Sequence, residues 1–189
     1  MKIIRLVFFL LISIKSFGQE SLWKKTVFNE VLSLQLPANA EPTVIAYVKA
    51  FGGGVNSNYY GFQHYDTVFV PIENEKLFQS SLATFMDGRI ADPTLKNYTV
   101  LVVDTTLHST KGLMAKYTTT NAAEAYKQIY YFATIANSQY YGFYVYSPFP
   151  NGNDEEINFF FNSIIFKHEK IKERSFKLKP VHLIKKAGR

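Results

Sequence analysis

The chain has 189 residues, a formal net charge of +6 and no cysteine. Without thiols there is no disulfide framework, no thiolate metal site, no cysteine nucleophile and no lipid acceptor, so a lipoprotein is excluded. The basic balance sits at the ends: residues 20–166 hold nine basic and 13 acidic side chains, a net of −4, so the pI near 9.3 gives no support to a nucleic-acid-binding face.

Residues 1–18 have the layout of a secretory signal peptide, with basic Lys2 and Arg5, an apolar run from Leu6 to Ile14 closed by Lys15, and a small-residue exit at Ser16 and Gly18. The run is shorter than the ~20 residues that span a bilayer. Cleavage after Gly18 then leaves a soluble, exported chain, periplasmic or extracellular, with no transmembrane segment. Its body, residues 19–167, has the size of one domain with one core.

From Leu22 to Val70 the pattern is that of strands. In "VLSLQLP", Leu32, Leu34 and Leu36 alternate with Val31, Ser33 and Gln35, and Pro37 ends the run. "TVIAYVKAF" and "NYYGFQHY" flank three glycines, and "DTVFVP" adds another strand. The glycines of "FGGGVNSN" are followed by neither Lys-Ser/Thr nor a helix, so a phosphate loop or dinucleotide fingerprint is excluded and a hairpin turn is expected there. A helix follows in "NEKLFQSSLATFMDG", with Asn74 as N-cap, Gly88 as stop, and Phe78, Leu82 and Phe85 at helical spacing.

Four long runs come next, "YTVLVVDTTLH", "GLMAKYTTT", "AYKQIYYFATIA" and "YYGFYVYSP", joined by the turn-rich links "STKG" and "NSQ". They predict antiparallel hairpins in one sheet, the third strand central and covered on both sides. "NDEEINFFFNSIIF" then carries a capping box at Asn153 and Glu156, with Ile157, Phe160, Phe161 and Ile164 at i, i+3, i+4 and i+7. Residues 168–189 are basic and lack sustained apolar periodicity, so a disordered tail is expected.

This order of elements, with "LSLQLP", Gly112 opening a strand after a turn, and Phe160, Phe161, Ser163, Ile164 and Phe166 at the end, resembles the PsbP-like superfamily over residues 22–166. The resemblance implies an α+β fold in which a single large antiparallel sheet is flanked by helices, an α/β/α sandwich. It also implies binding or assembly in place of catalysis, since the superfamily has no shared catalytic set.

The chemistry-bearing residues are sparse. His64, His108, His168 and His182 form no metal-ligand spacing, so no metal or other cofactor is expected. His64 and Asp66 share one face of a strand, and Asp104 interrupts an apolar one; either is a surface group or part of a site made only by the tertiary fold. No Gly-x-Ser-x-Gly elbow is present. The tyrosine pairs Tyr59-Tyr60, Tyr130-Tyr131 and Tyr140-Tyr141 must split between the two faces of the sheet. An uncovered face would make Tyr59, Tyr60, Tyr140 and Tyr141 candidates for an aromatic binding platform; otherwise they pack under the helices. In the tail, Lys177, Lys179, Lys185, Lys186 and Arg189 are either solubilising or contacts to an anionic envelope surface. The expected function is a secreted, non-enzymatic binding or assembly module whose partner is an envelope protein or surface and not a nucleic acid. The alternative is a small periplasmic hydrolase.

Overall fold

The computed structural model describes residues 22–45, 48–65, 80–84, 86–87, 92–136, 139–152 and 154–167. The signal-peptide segment, "DTVFVP" with Asp66, the helix positions Asn74, Phe78, Phe85 and Gly88, the cap Asn153, and the tail with its lysines, Arg189, His168 and His182 lie outside the described residues.

Among the described residues, ten strands form two antiparallel sheets. The larger is ordered β3-β4-β5-β9-β8-β7-β6 and the smaller β1-β2-β10. The small sheet holds β1 (Trp23–Val27), β2 (Leu32–Pro37) and β10 (Ile165–Phe166). The large one holds β3 (Glu41–Ile45), β4 (Val48–Val55), β5 (Asn58–Tyr65), β6 (Thr99–Leu107), β7 (Thr110–Thr118), β8 (Gln128–Ala136) and β9 (Gln139–Ser147). Residues 80–84 and 86–87 are helical and are called α1; α2 is Asp154–Asn162. A short 3-10 turn, Pro93–Leu95, is capped by Asp92, whose Oδ1 accepts from Thr94 N at 2.9 Å.

The expected fold class is corrected by this topology. The described residues are mostly β, and the layer on one face of the large sheet is itself a sheet. Leu32, Leu34 and Leu36 of β2 are at most 2% exposed and lie in one core with Tyr60, Phe62, Phe132, Tyr141, Phe143 and Val145 of the large sheet. α2 contributes Ile157, Phe160 and Phe161 to the same core. The physical reason is that "LSLQLP" has partners on both sides, β1 and the two-residue β10, so its apolar face arrives as part of a second sheet packed face to face on the first.

The opposite face carries a second core of Leu113, Ala115, Tyr117, Ile129, Tyr131, Ala133 and Ile135, with Leu82 and Met86 of α1 lying on it. β8 is therefore buried on both sides, next to β9, which occupies the middle of the strand order.

The hairpin turns also differ from expectation. Asn56 and Ser57, with φ of 48° and 70°, form the link between β4 and β5, while Gly52, Gly53 and Gly54 lie within β4. His108 and Ser109, with φ of 45° and 68°, link β6 to β7, so Lys111 and Gly112 are strand residues. Two consecutive residues with positive φ give a two-residue turn whose twist matches the strands it joins.

Candidate functional site

What the strand glycines do is visible from the other strands. Tyr59, Tyr144 and Tyr131 project from β5, β9 and β8 on the face opposite the small sheet. Each ring leans over a glycine one strand away. A Cβ added at Gly52 would lie 2.6 Å from Cζ of Tyr59, one at Gly61 2.6 Å from Cζ of Tyr144, and one at Gly142 2.6 Å from Cζ of Tyr131. Glycine is required at these places because only a strand without a side chain leaves room for a ring lying on its backbone. Gly53 serves the other face, where the Ala40 backbone would come within 2.8 Å of an added Cβ.

The result is a row of rings. Tyr59 and Tyr144 are nearly parallel, 6.3 Å between centroids with a 12° interplanar angle. Tyr146 meets Tyr144 at 5.5 Å and Tyr126 at 5.2 Å. Tyr59 and Tyr126, at the two ends, are each 37% exposed. The loop carrying Tyr126 is tied down, since Tyr98 donates its hydroxyl to the Tyr126 carbonyl at 2.7 Å and Lys127 Nζ donates to the Asn121 carbonyl at 2.9 Å. Beside Tyr146 the row opens into a cleft of about 130 Å³ lined by Asp92, Thr94, Leu95, Tyr117, Ile129 and Tyr131. This surface offers flat ring faces and phenol groups. Burial raises the Tyr98 hydroxyl above its ordinary value, with the Glu124 carboxylate adding to the effect, so it is a neutral group at physiological pH.

Of the four tyrosines expected on a platform, the structure brings only Tyr59 to the surface. Tyr60 and Tyr141 are fully enclosed under the small sheet and α2. The Tyr60 hydroxyl donates to Glu156 Oε2 at 3.0 Å and accepts from Asn58 at 3.0 Å. Asn56 also bonds Glu156, so this carboxylate fastens the β4–β5 turn to α2. Tyr140 is buried under α1 and donates to the Ser81 carbonyl at 2.6 Å. Sequence reasoning missed Tyr144, Tyr146 and Tyr126. The alternation "YGFYVYS" places Tyr144 and Tyr146 on the face of Tyr140, but which part of that face stays open is decided by where α1 lies.

Among the described residues, His64, His108 and Asp104 do not converge. His64 is buried on the small-sheet side, where Nε2 donates to Gln139 Oε1 at 3.0 Å and the ring lies 4.8 Å from Tyr141 and 5.2 Å from Phe28. Asp104 is on β6, on the opposite face, four strand spacings or ~19 Å across the sheet. His108 donates from Nε2 to the Asn162 carbonyl at 2.6 Å, a contact between a turn and the C-terminal end of α2. A shallow cleft of about 300 Å³ beside α2, lined in part by Lys25, Ser33, Gln35, Phe159 and Asn162, has Lys25 as its ionisable group. Among the described residues, no group of three or more His, Cys, Asp or Glu is placed to hold a metal ion, and no helix is long and apolar enough to cross a membrane.

Compared with models of known protein families the chain matches none, and no curated protein matches it either.

Proposed function

We propose that the chain is an exported, non-enzymatic binding or assembly module whose partner sits on the tyrosine face of the large sheet. The observation that carries this reading is the continuous row Tyr59, Tyr144, Tyr146 and Tyr126, with Gly52 and Gly61 beneath the first two rings and an exposed tyrosine at each end. Tyrosine supplies rigid contact area together with a hydroxyl, which is why it is enriched where proteins meet partners. Export is supported by the basic, apolar and small-residue layout of residues 1–18. The resemblance of "LSLQLP" and of Phe160, Phe161, Ser163, Ile164 and Phe166 to the PsbP-like superfamily is compatible with an assembly role but carries no argument for it, since the α/β/α sandwich it implies is not the fold observed.

A hydrolase would need an acid or base partner for His64. His64 and Asp104 stand on opposite faces, so nothing among the described residues favours that reading. Attachment to an anionic envelope surface through Lys177, Lys179, Lys185, Lys186 and Arg189 is a separate proposal. Deleting residues 172–189 tests it by salt-dependent cosedimentation with envelope fractions, which should fall on deletion.

The test of the main proposal is capture from an envelope extract by the immobilised mature chain, wild type against the Tyr59→Ser Tyr146→Ser variant. A partner retained by the wild type and lost by the variant, both with the same far-ultraviolet circular dichroism, is the expected result. Equal retention by both would remove the tyrosine row from the account.

A further inference from the structure

The two edges of the large sheet are unlike. β3, at one end, carries Glu41 and Pro42 within its five residues, a charge and an imino acid that discourage another strand. β6, at the other end, is nine residues long with no proline and a single charge, Asp104, and its ladder to β7 runs without a bulge from Thr99 to Leu107. Among the described residues β7 is its one neighbour.

The turn fixes which backbone groups of β6 face outward. A two-residue turn at His108 and Ser109 is closed by a hydrogen-bonded pair, Leu107 with Thr110, and hydrogen-bonded pairs then alternate along an antiparallel ladder. Thr105, Val103 and Leu101 therefore direct their N–H and C=O groups toward β7. Val100, Val102, Asp104 and Thr106 direct theirs toward the open edge. The side chains of Leu101 and Val103, on the small-sheet side but beyond its cover, are both 45% exposed.

We propose that a second copy of this chain pairs with this edge, β6 against β6, antiparallel and centred on Val102. Two features single out a second copy. The outward N–H and C=O of Val102 match those of its own twin, and Leu101 and Val103 lie symmetrically about it. In that register Val103 stands opposite Leu101 of the second copy and Leu101 opposite its Val103, so the exposed aliphatic side chains close on one another. Asp104 then faces Val100 of the second copy, four positions and ~13 Å along the strand from where it would meet its own kind. A register centred on Val103 would leave Leu101 against Thr105 and set the two aspartates only two positions, ~7 Å, apart. The contact is isologous, closes after two copies, and leaves Tyr59 and β4 at the far side of the sheet free.

The chain has no cysteine, so introduced thiols report the pairing without background. Leu101→Cys and Val103→Cys are made separately in the mature chain, at positions exposed enough to leave the fold intact. In the proposed register residues 101 and 103 form a non-hydrogen-bonded pair with Cα atoms ~4.5 Å apart, within disulfide range. Under mild oxidation each variant alone should stay single-chain on a non-reducing gel, and an equimolar mixture should give a linked dimer. By light scattering the wild type should show twice the chain mass, and Asp104→Pro, which removes an edge N–H while sparing the β6–β7 ladder, half of that. The proposal is overturned by a single-chain mass for the wild type, by a mixture that does not link, by Val103→Cys linking to itself, or by an Asp104→Pro variant that keeps the doubled mass.

Discussion

Gly142→Ala adds one methyl group under the Tyr131 ring, where the structure has no space for it. The new Cβ would overlap the Tyr131 hydroxyl, lie 2.6 Å from Cζ and 3.1 Å from Gln63 Nε2. Tyr131 is 1% exposed and accepts a hydrogen bond from Gln63, so its ring cannot lift without disturbing both. Overpacking of this kind costs about 1–3 kcal/mol, and losing the hydrogen bond adds roughly 0.5–1.5 kcal/mol. The stiffer unfolded chain offsets about 0.4–1 kcal/mol. The net is a destabilisation of about 1–3 kcal/mol, or a fall in Tm of roughly 2–12 °C for a chain of this length. Gly54→Ala is the control: its nearest neighbour would be the Asn58 carbonyl at 3.6 Å, an ordinary contact, so it should be neutral or stabilising by up to about 1 kcal/mol. Urea unfolding of the mature chain, followed by circular dichroism, reads both. Equal stability of Gly142→Ala and wild type, or an equal loss in Gly54→Ala, would refute the claim that strand glycines exist to seat tyrosine rings.

Three further outcomes follow from the packing. Burial raises the phenols of Tyr60, Tyr140 and Tyr141 above their ordinary value of 10.0. The unfolded chain then releases those protons first, so stability is complete below pH 10 and falls as pH rises beyond it, and Tyr60→Phe should make the fall shallower in alkaline urea titrations. Phe160→Ala empties a fully buried position between α2, Trp23 and Tyr60 and should cost about 3–5 kcal/mol in the same unfolding assay. Asn56→Ala forces a Cβ-bearing residue without a local polar side chain into φ 48° and should lose about 1–2 kcal/mol, with Asn56→Gly relieving the backbone part of that loss but not the lost bond to Glu156.

Much of the local structure was legible because it repeats at short range. The alternation of Leu32, Leu34 and Leu36 marks a half-buried strand, and the spacing of Ile157, Phe160, Phe161 and Ile164 marks the face that α2 and its exit bury. The layers were not legible. Only pairing across more than a hundred residues, Phe166 with Leu32, turns "LSLQLP" into the middle of a second sheet, and no periodicity reports it. The glycines misled for a related reason: three in a row suggest a turn, but Gly52 answers the Tyr59 ring of the neighbouring strand and Gly53 the Ala40 backbone of the β2–β3 turn. Alternation correctly separates Tyr59 from Tyr60, and then stops, because cover is a property of the neighbours.

Nitration of tyrosines, mapped by mass spectrometry on the mature protein with and without envelope extract, tests the proposed face most directly. Tyr59 and Tyr126 should be modified in the free protein and protected when the extract is present, while the enclosed Tyr60 and Tyr141 stay unmodified in both. Modification of Tyr59 and Tyr126 to the same extent in the two conditions would contradict a partner on this face.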